Sequence, residues 1–242
     1  MAKRRLHVDV QLIPNTSLTL DPDRSHYLCR VLRQRRGDRV LLFCGDGDGY
    51  DAEVENADVR ACEVRVGSVI EHEPPPRLRL HLAQAMIKGD RLDFVMQKST
   101  ELGVTDIWPI ETERTEVHVE GPRVARRETH WLRIVESAAE QCGRLRLPVL
   151  HKPMPLTALL ADRPAAQTFL LDPGAASLDG VPALADTLLF VGPEGGFTDT
   201  ERAAAQAAGA RSMGLGRLIL RADTAPLAAL AVLRQSWGWS AP

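Results

Sequence analysis

The residues best suited to chemistry lie late in the 242-residue chain, where Leu188-Leu189-Phe190-Val191 runs into Gly192-Pro193-Glu194-Gly195-Gly196-Phe197. About twenty residues on, Leu215-Gly216-Arg217-Leu218-Ile219-Leu220 leads into Arg221-Ala222-Asp223-Thr224-Ala225-Pro226. An apolar run that empties into a glycine-rich turn is what a strand-end ligand loop needs, because glycine lets the backbone approach a small molecule with no Cβ in the way. The second segment repeats the arrangement and adds an arginine, a carboxylate and a proline suited to the first turn of a helix. Two such loops in succession imply one small-molecule pocket.

Nucleotide motifs fit these loops poorly. A P-loop needs a lysine after its glycines, and the only lysines stand at positions 3, 88, 98 and 152. Gly214-Leu215-Gly216 opens like a dinucleotide fingerprint, but Ile219 occupies the third small position and would keep helix from strand. A nicotinamide- or nucleotide-dependent enzyme is therefore disfavoured.

Both segments resemble the RsmE family of SPOUT methyltransferases, which methylate N3 of a uridine in 16S ribosomal RNA. The resemblance continues through His26-Tyr27-Leu28-Cys29-Arg30-Val31-Leu32-Arg33, Lys88-Gly89-Asp90-Arg91, Gln97-Lys98-Ser99-Thr100-Glu101-Leu102-Gly103-Val104, Thr112-Glu113-Arg114 and Glu140-Gln141-Cys142-Gly143-Arg144. It thus covers nearly the whole chain. One departure stands out: the family's Arg-Thr-Glu-Thr-Ala is Arg221-Ala222-Asp223-Thr224-Ala225 here, so a hydroxyl is lost and a carboxylate is one methylene shorter.

The resemblance implies S-adenosyl-L-methionine as cofactor, 16S rRNA of the small ribosomal subunit as partner and a homodimer; no metal is expected. It also implies a cofactor site made of Leu171, Gly192, Pro193, Glu194, Gly195, Gly196, Leu215, Gly216, Leu218, Ile219, Leu220, Thr224 and Ala225. Methyl transfer is an in-line displacement from a sulfonium that already carries its leaving group, so the enzyme mainly aligns donor and acceptor. Uridine N3 becomes a strong nucleophile only when its proton leaves, which requires a base or a group that stabilises the anion. Arg221 and Asp223 are the catalytic candidates, Arg221 for charge on the uracil oxygens or a nearby phosphate. Asp223 reads equally well as the base or as a helix N-cap. Glu194 either faces the sulfonium or caps the following helix. Gly195 is expected to need a positive φ or a close backbone approach.

Length and composition bound the organisation. With 44% apolar residues, the chain has enough to bury one large core or two modest ones. Glu71-His72-Glu73-Pro74-Pro75-Pro76-Arg77 breaks the pattern with a charged, stiff stretch. The expected organisation is residues 1–72 as one domain, 73–77 as linker and 78–242 as the second domain. A chain beginning near Arg77 is then expected to fold and bind donor. The four cysteines, Cys29, Cys44, Cys62 and Cys142, form no Cys-x-x-Cys pair, which speaks against a disulfide framework or a zinc site and leaves buried packing as their expected role. Cys142 is not expected to act as a nucleophile, since N3 methylation requires no thiol adduct. No signal-peptide core or membrane-length apolar run is present in the sequence, and a cytoplasmic location is expected.

The net charge of −2 conceals a local surplus: residues 1–40 hold nine Lys or Arg against four Asp. Clustered cations attract phosphates by counterion release. A solvated helix face is the plain alternative. Arg4, Arg5, Arg30, Arg33, Gln141 and Arg144 are the RNA-binding candidates, with Arg30 and Arg33 expected to share a helix face. The plain reading of Glu140 and Arg144 is an i,i+4 ion pair before the glycine stop at Gly143. A catalytically silent RNA-binding assembly factor would retain the basic cluster, but it would have no need of intact donor loops.

The expected fold class is α/β. Strands are predicted at 6–10, 40–43, 50–54 and 62–66, with one helix starting near Asp21-Pro22, giving a small β-barrel that the resemblance implies to be PUA-like. Beyond the linker come strands at 78–82, near Ile107, at 168–171 and at 188–191. Helices are predicted at 90–102, 122–142, 199–208 and 223–237. That alternation implies a parallel sheet covered by helices. Connections in such sheets are normally unknotted, so the SPOUT C-terminal deep trefoil knot follows from the resemblance alone.

Overall fold

The computed structural model describes residues 4–117, 121–162, 165–177, 182 and 184–237; Lys3 of the basic cluster lies outside them. The elements begin with β1 (Arg5–His7), β2 (Ser17–Thr19), α1 (Pro22–His26), β3 (Arg39–Phe43), β4 (Asp48–Asn56) and β5 (Glu63–His72). They continue with β6 (Arg79–Ala85), α2 (Arg91–Glu101), β7 (Asp106–Glu111), α3 (Pro122–Cys142), β8 (Val149–Leu150), β9 (Met154–Pro155) and α4 (Leu156–Asp162). The last are β10 (Gln167–Leu171), β11 (Asp186–Val191), α5 (Asp199–Ala207), β12 (Arg211–Met213) and α6 (Thr224–Ser236). Two compact units result: Met1–Pro75 with Glu136–Leu147, and Pro76–Val135 with Pro148–Pro242.

In the first unit one sheet runs β1-β3-β4-β5-β2, with β1 parallel to β3 and the other pairs antiparallel. The sheet stays open at β1 and β2, so the expected barrel is a half-barrel. Residues Glu63-Val64-Arg65-Val66 of β5 alternate outward charge with inward valine, as a strand with one wet face must. By contrast, all of Val40-Leu41-Leu42-Phe43 in β3 is buried. Val40 and Leu42 join Leu6, Leu28 and Val64, while Leu41 and Phe43 pack on Ala139 of α3 and Leu145 beyond it. The unbroken apolar run reflects two covered faces.

The end of α3 is fastened to this unit by charge. Arg24 pairs with Glu136 and, at 3.2 Å, with Glu140, whose carboxylate also accepts from the His7 amide at 2.9 Å. Glu140 is therefore not paired with Arg144, whose guanidinium lies 4.0 Å from Glu73. Glu73 itself accepts from the Arg146 amide at 2.8 Å. Gly143 takes φ +88° and donates to Ala139 O, the glycine stop anticipated for this helix.

Asp21 caps α1 by accepting from the Arg24 amide at 2.9 Å, and Pro22 occupies its first turn. The helix then widens into a π-turn over Tyr27–Val31. Arg33 lies beyond it with φ +57°, so Arg30 and Arg33 do not share a helix face. Of the cysteines only Cys62 is buried; Cys29 and Cys44 are half-buried and Cys142 is exposed, against the expectation of four packed thiols.

The second unit is an all-parallel sheet in the order β12-β10-β11-β6-β7-β8, with β9 also on β7. Register aligns Phe169, Leu189, Leu82 and Ile107 in one row and Leu170, Phe190, Ala83 and Trp108 in the next. Both rows are buried, so helices cover both faces, as all-parallel sheets require. Leu156, Leu159 and Leu160 of α4 and Ala205 of α5 pack on the second row. β2, β8, β9, β12 and α4 do not appear in the sequence pattern, because two to seven residues are too few to display a period.

At the N-terminal edge of this sheet sits a buried polar cluster. Asp106 meets His151 at 3.0 Å, Arg79 at 3.1 Å and His81 at 3.4 Å, and His81 lies 3.6 Å from Asp186. Burial alone would raise the Asp106 carboxyl. The His151 hydrogen bond and the positive fields of His81 and Arg79 outweigh burial and hold it down to about 2.

Candidate active site

Because every strand of the second unit runs the same way, all their C-terminal ends meet at one edge, opposite the Asp106 cluster. The chain enters β7 on one side of β6 and later enters β10 and β11 on the other, so the strand order reverses here, where open α/β sheets form ligand crevices. The two glycine-rich segments leave this edge from β11 and β12, both near β10 because β10 pairs with each.

After β11, Pro193 O accepts from Gly196 N at 2.9 Å, closing a turn with Gly196 at φ +65°. The left-handed position is thus Gly196 rather than Gly195. Gly195 is constrained differently: a Cβ there would stand 3.2 Å from Cδ of Arg114, whose guanidinium donates to Gly195 O at 2.7 Å. At Gly192 a Cβ would press on the Gly196 backbone at 3.3 Å. Glu194 accepts from the Lys88 amide and from Arg91, each at 3.4 Å, and does not cap α5. Thr198 does so instead, in a reciprocal capping box with Glu201.

After β12 the constraint is tighter. Gly214 donates to Ala176 O at 2.9 Å, and a Cβ on it would lie 1.9 Å from Ala175 O. The loops after β10 and β12 can touch only because residue 214 is glycine. The sequence offers Gly214 as part of a failed dinucleotide fingerprint, and its steric role is visible only with the 172–177 loop beside it. Arg114 is likewise absent from the site read from sequence, although Thr112-Glu113-Arg114 contributes to the resemblance. Gly216 takes φ +99°, turning the chain so that Leu218 and Ile219 stand 81% and 85% exposed. Leu171, Leu215 and Leu220 are half-buried.

Arg221 is exposed and Asp223 half-buried. Asp223 occupies the N-cap position of α6 with helical backbone angles and accepts nothing from the helix amides, so the capping reading fails. Its contact is the Thr224 hydroxyl at 3.2 Å, and Arg221 O receives the Thr224 and Ala225 amides. Among the described residues neither Arg221 nor Asp223 forms an ion pair. The loop therefore presents a cation and a carboxylate that the fold does not consume.

An RNA methyltransferase domain model matches residues 73–234 and an RNA methyltransferase PUA domain model matches residues 20–67. A ribosomal RNA small subunit methyltransferase E from Synechocystis is 34% identical over 94% of this chain and 76% of its own length. The chain belongs to the ribosomal RNA small subunit methyltransferase E family. Its fold is that of solved relatives. A Legionella pneumophila protein with bound cofactor SAM superposes with TM-score 0.94 at 34% identity, covering 98% of this chain and 99% of that one. A family member from Neisseria gonorrhoeae bound to S-adenosyl methionine gives TM-score 0.92 at 32% identity, covering 98% and 100%. The SPOUT-type α/β architecture and the PUA-like half-barrel follow from that membership.

The RNA-binding candidates of the first unit divide. Arg5 pairs with Glu71 at 2.6 Å and reaches Gly143 O, and Arg144 is only 14% exposed beside Glu73. Arg4, Arg30, Arg33 and Gln141 are exposed. Among the described residues, His7, Asp9 and Glu136 form the one group with metal-ligand spacing, and Arg24 already occupies Glu136. No helix of the described chain is long and apolar enough to cross a membrane.

Proposed function

We propose that this chain, as a cytoplasmic homodimer with a C-terminal trefoil knot, methylates N3 of one uridine in 16S rRNA of the small ribosomal subunit, using S-adenosyl-L-methionine. The observation that carries this reading is the pair of loops at one sheet edge, shaped by their glycines: Gly214, where a Cβ would collide with Ala175, and Gly196 and Gly216, which take positive φ. Backbone exposed by such glycines can grip an adenosyl group, and the bare side chains of Leu218 and Ile219 offer it an apolar wall. The residues present therefore fit the cofactor.

S-adenosylmethionine supplies an activated methyl group whose departure needs no acid. What remains for the chain is alignment and the N3 proton. Leu171, the 192–196 turn, and residues 215–220 with Thr224 and Ala225 bind the donor. Asp223, unspent on capping, takes the N3 proton, and Arg221 stabilises the negative charge that spreads onto the uracil oxygens. Arg114, bonded to Gly195 O, holds the donor turn in place. The first unit contributes RNA affinity through Arg4, Arg30, Arg33 and Gln141. Arg5 and Arg144 serve that unit's own packing.

Mass mapping of 16S rRNA from cells lacking and regaining this gene tests the reading. A single methyl at uridine N3 that disappears and returns with the gene is the expected result. Unchanged RNA, or a methyl on another atom, overturns it. Calorimetric titration with S-adenosylmethionine separates a methyltransferase from a silent RNA-binding factor.

A further inference from the structure

The second unit carries a cleft of about 490 Å³ lined by Gly89, Asp90, Asp93, Arg123, Arg126, Arg127 and His130. Its size falls within the range of roughly 300–1,000 Å³ that admits nucleotide-sized ligands. Positions 123, 126, 127 and 130 follow the i, i+3, i+4, i+7 spacing of one face of α3, so the helix presents its cations together. The facing wall is the turn into α2, whose N-cap residue Asp90 makes no side-chain capping bond.

The charges of the cleft do not cancel. His130 is matched by Asp93 at 2.7 Å, which leaves Asp90 facing three guanidiniums. None of Arg123, Arg126 or Arg127 forms an ion pair with a carboxylate among the described residues, and Arg123 and Arg126 are exposed. The arrangement also works against its own helix. Like charges three and four residues apart repel, and the first turn of α3 holds no acidic residue to complement the helix dipole. A structural role would be better served by an alternation of signs. A polyanion would convert the repulsion into attraction.

Position supplies the second argument. The loop that forms the facing wall is the loop that touches the donor turn: Lys88 donates its amide to Glu194, as does the Arg91 guanidinium from the first turn of α2, each at 3.4 Å. Gly89 and Asp90 lie between these two contacts. The wall of the cleft is thus tied to the turn that carries Gly192–Gly196.

We propose that Arg123, Arg126 and Arg127 of α3, facing Gly89–Asp93, bind phosphate groups of the RNA substrate on the methyltransferase unit itself, beside the donor loop. Arginine suits the task because its planar fork meets phosphate oxygens in pairs. The inference rests on an RNA substrate, as proposed above. It means that RNA affinity is not confined to the basic half-barrel.

The test compares the full-length chain with R123Q/R126Q and R126K for binding to naked 16S rRNA, from about 50 to 300 mM KCl, because each lost phosphate contact flattens log K against log salt by about 0.7–0.9. The double variant should lose a slope of about 1.4–1.8 and, at 0.15 M salt, bind on the order of 10- to 30-fold more weakly. R126K should keep the wild-type salt slope, because the charge is kept, while losing part of the affinity with the planar fork. S-adenosylmethionine affinity and turnover at saturating RNA should stay at wild-type values while KM for RNA rises. An unchanged salt slope in a folded R123Q/R126Q protein overturns the inference, as does a wild-type chain that does not bind RNA. If the wild type binds RNA but methylates none, the functional reading fails and the salt slope still decides whether the cleft holds phosphate.

Discussion

Gly214→Ala probes the geometry of the donor edge most directly. A Cβ at this position would stand 1.9 Å from Ala175 O and 2.7 Å from its carbonyl carbon, whereas such contacts ordinarily stay beyond 3.0 Å. Both are backbone atoms, so no side chain can swing aside, and one loop must move by more than 1 Å. That movement breaks the Gly214 N to Ala176 O bond and strains Asp172 N to Met213 O, each now 2.9 Å. A lost hydrogen bond costs about 0.5–1.5 kcal/mol and an overpacked contact about 1–3 kcal/mol, giving roughly 2–4 kcal/mol together. For a chain of this length the melting temperature should fall by roughly 5–15 °C. Gly196→Ala is the control. It has open space around its Cβ and pays only for φ +65°, about 1 kcal/mol and a few degrees. Thermal melts and S-adenosylmethionine titrations on both variants form the assay. Gly214→Ala should also lose donor affinity by on the order of 10- to 100-fold, since displacement by about 1 Å misaligns the wall of the site. Wild-type melting and donor affinity in Gly214→Ala would refute the reasoning, and so would greater damage from Gly196→Ala.

Arg221→Ala should slow turnover by on the order of 100-fold with little change in donor affinity, as expected for a group that stabilises charge developing on uracil. Lost donor affinity with normal turnover would make Arg221 a donor-binding residue. Asp223→Asn should reduce activity and recover as pH rises and more uridine ionises, with unchanged melting temperature because no cap is lost; a lower melting temperature without pH rescue would reject the base assignment. Asp106 has a folded pKa of about 2, below its ordinary 3.8, so its stabilisation is complete above about pH 4 and is lost as pH falls through about 2. His81, pushed down by burial, adds instability as pH falls below 6.5, and Asp106→Asn should flatten the acid limb of a stability profile while costing roughly 2 kcal/mol at neutral pH. A chain beginning at Arg77 should melt far below the full chain, because Glu136 and Glu140 lose Arg24 and Ala139 and Leu145 lose Leu41 and Phe43. Breaking such a buried pair costs about 3–5 kcal/mol, and near-native melting of the shortened chain would contradict this.

The last of these reverses what the sequence alone suggests, and the reason is physical. Pro74-Pro75-Pro76 is a genuine break in periodicity, but residues 136–147 return to the first unit, and no local pattern announces a return across sixty residues. Apolar periodicity made the long strands and helices legible, since each presents several residues to a core. It also made Gly143 legible as a helix stop. Partner choice was not legible: Glu140 and Arg144 have ideal i,i+4 spacing, yet each is taken by a residue distant in sequence, Arg24 and Glu73. The same limit applies to the donor loops. Their glycines stand out in sequence, but which one needs a positive φ and which one tolerates no Cβ depends on neighbours that only the folded chain brings close.

Leu218 and Ile219 bring these strands of reasoning together. Burying an aliphatic side chain of this size gains about 1.5–3 kcal/mol, so two adjacent ones at 81% and 85% exposure represent a gain the isolated chain does not take. They cannot retreat into the core. Gly216 at φ +99° turns the loop outward, and on the far side Arg221 O is bound to the first amides of α6. Both ends of the segment are held while its apolar middle is left bare, so among the described residues nothing of this chain covers it and a bound molecule would gain by doing so. The proposed donor and a proposed second copy are the two occupants in view, and they make opposite demands on concentration. Cover by donor follows S-adenosylmethionine at any protein concentration, whereas cover by a second copy follows protein concentration without donor. Ile219→Ser should weaken donor binding in the first case and shift a monomer–dimer equilibrium in the second. A variant that changes neither would leave both side chains with no role in the site.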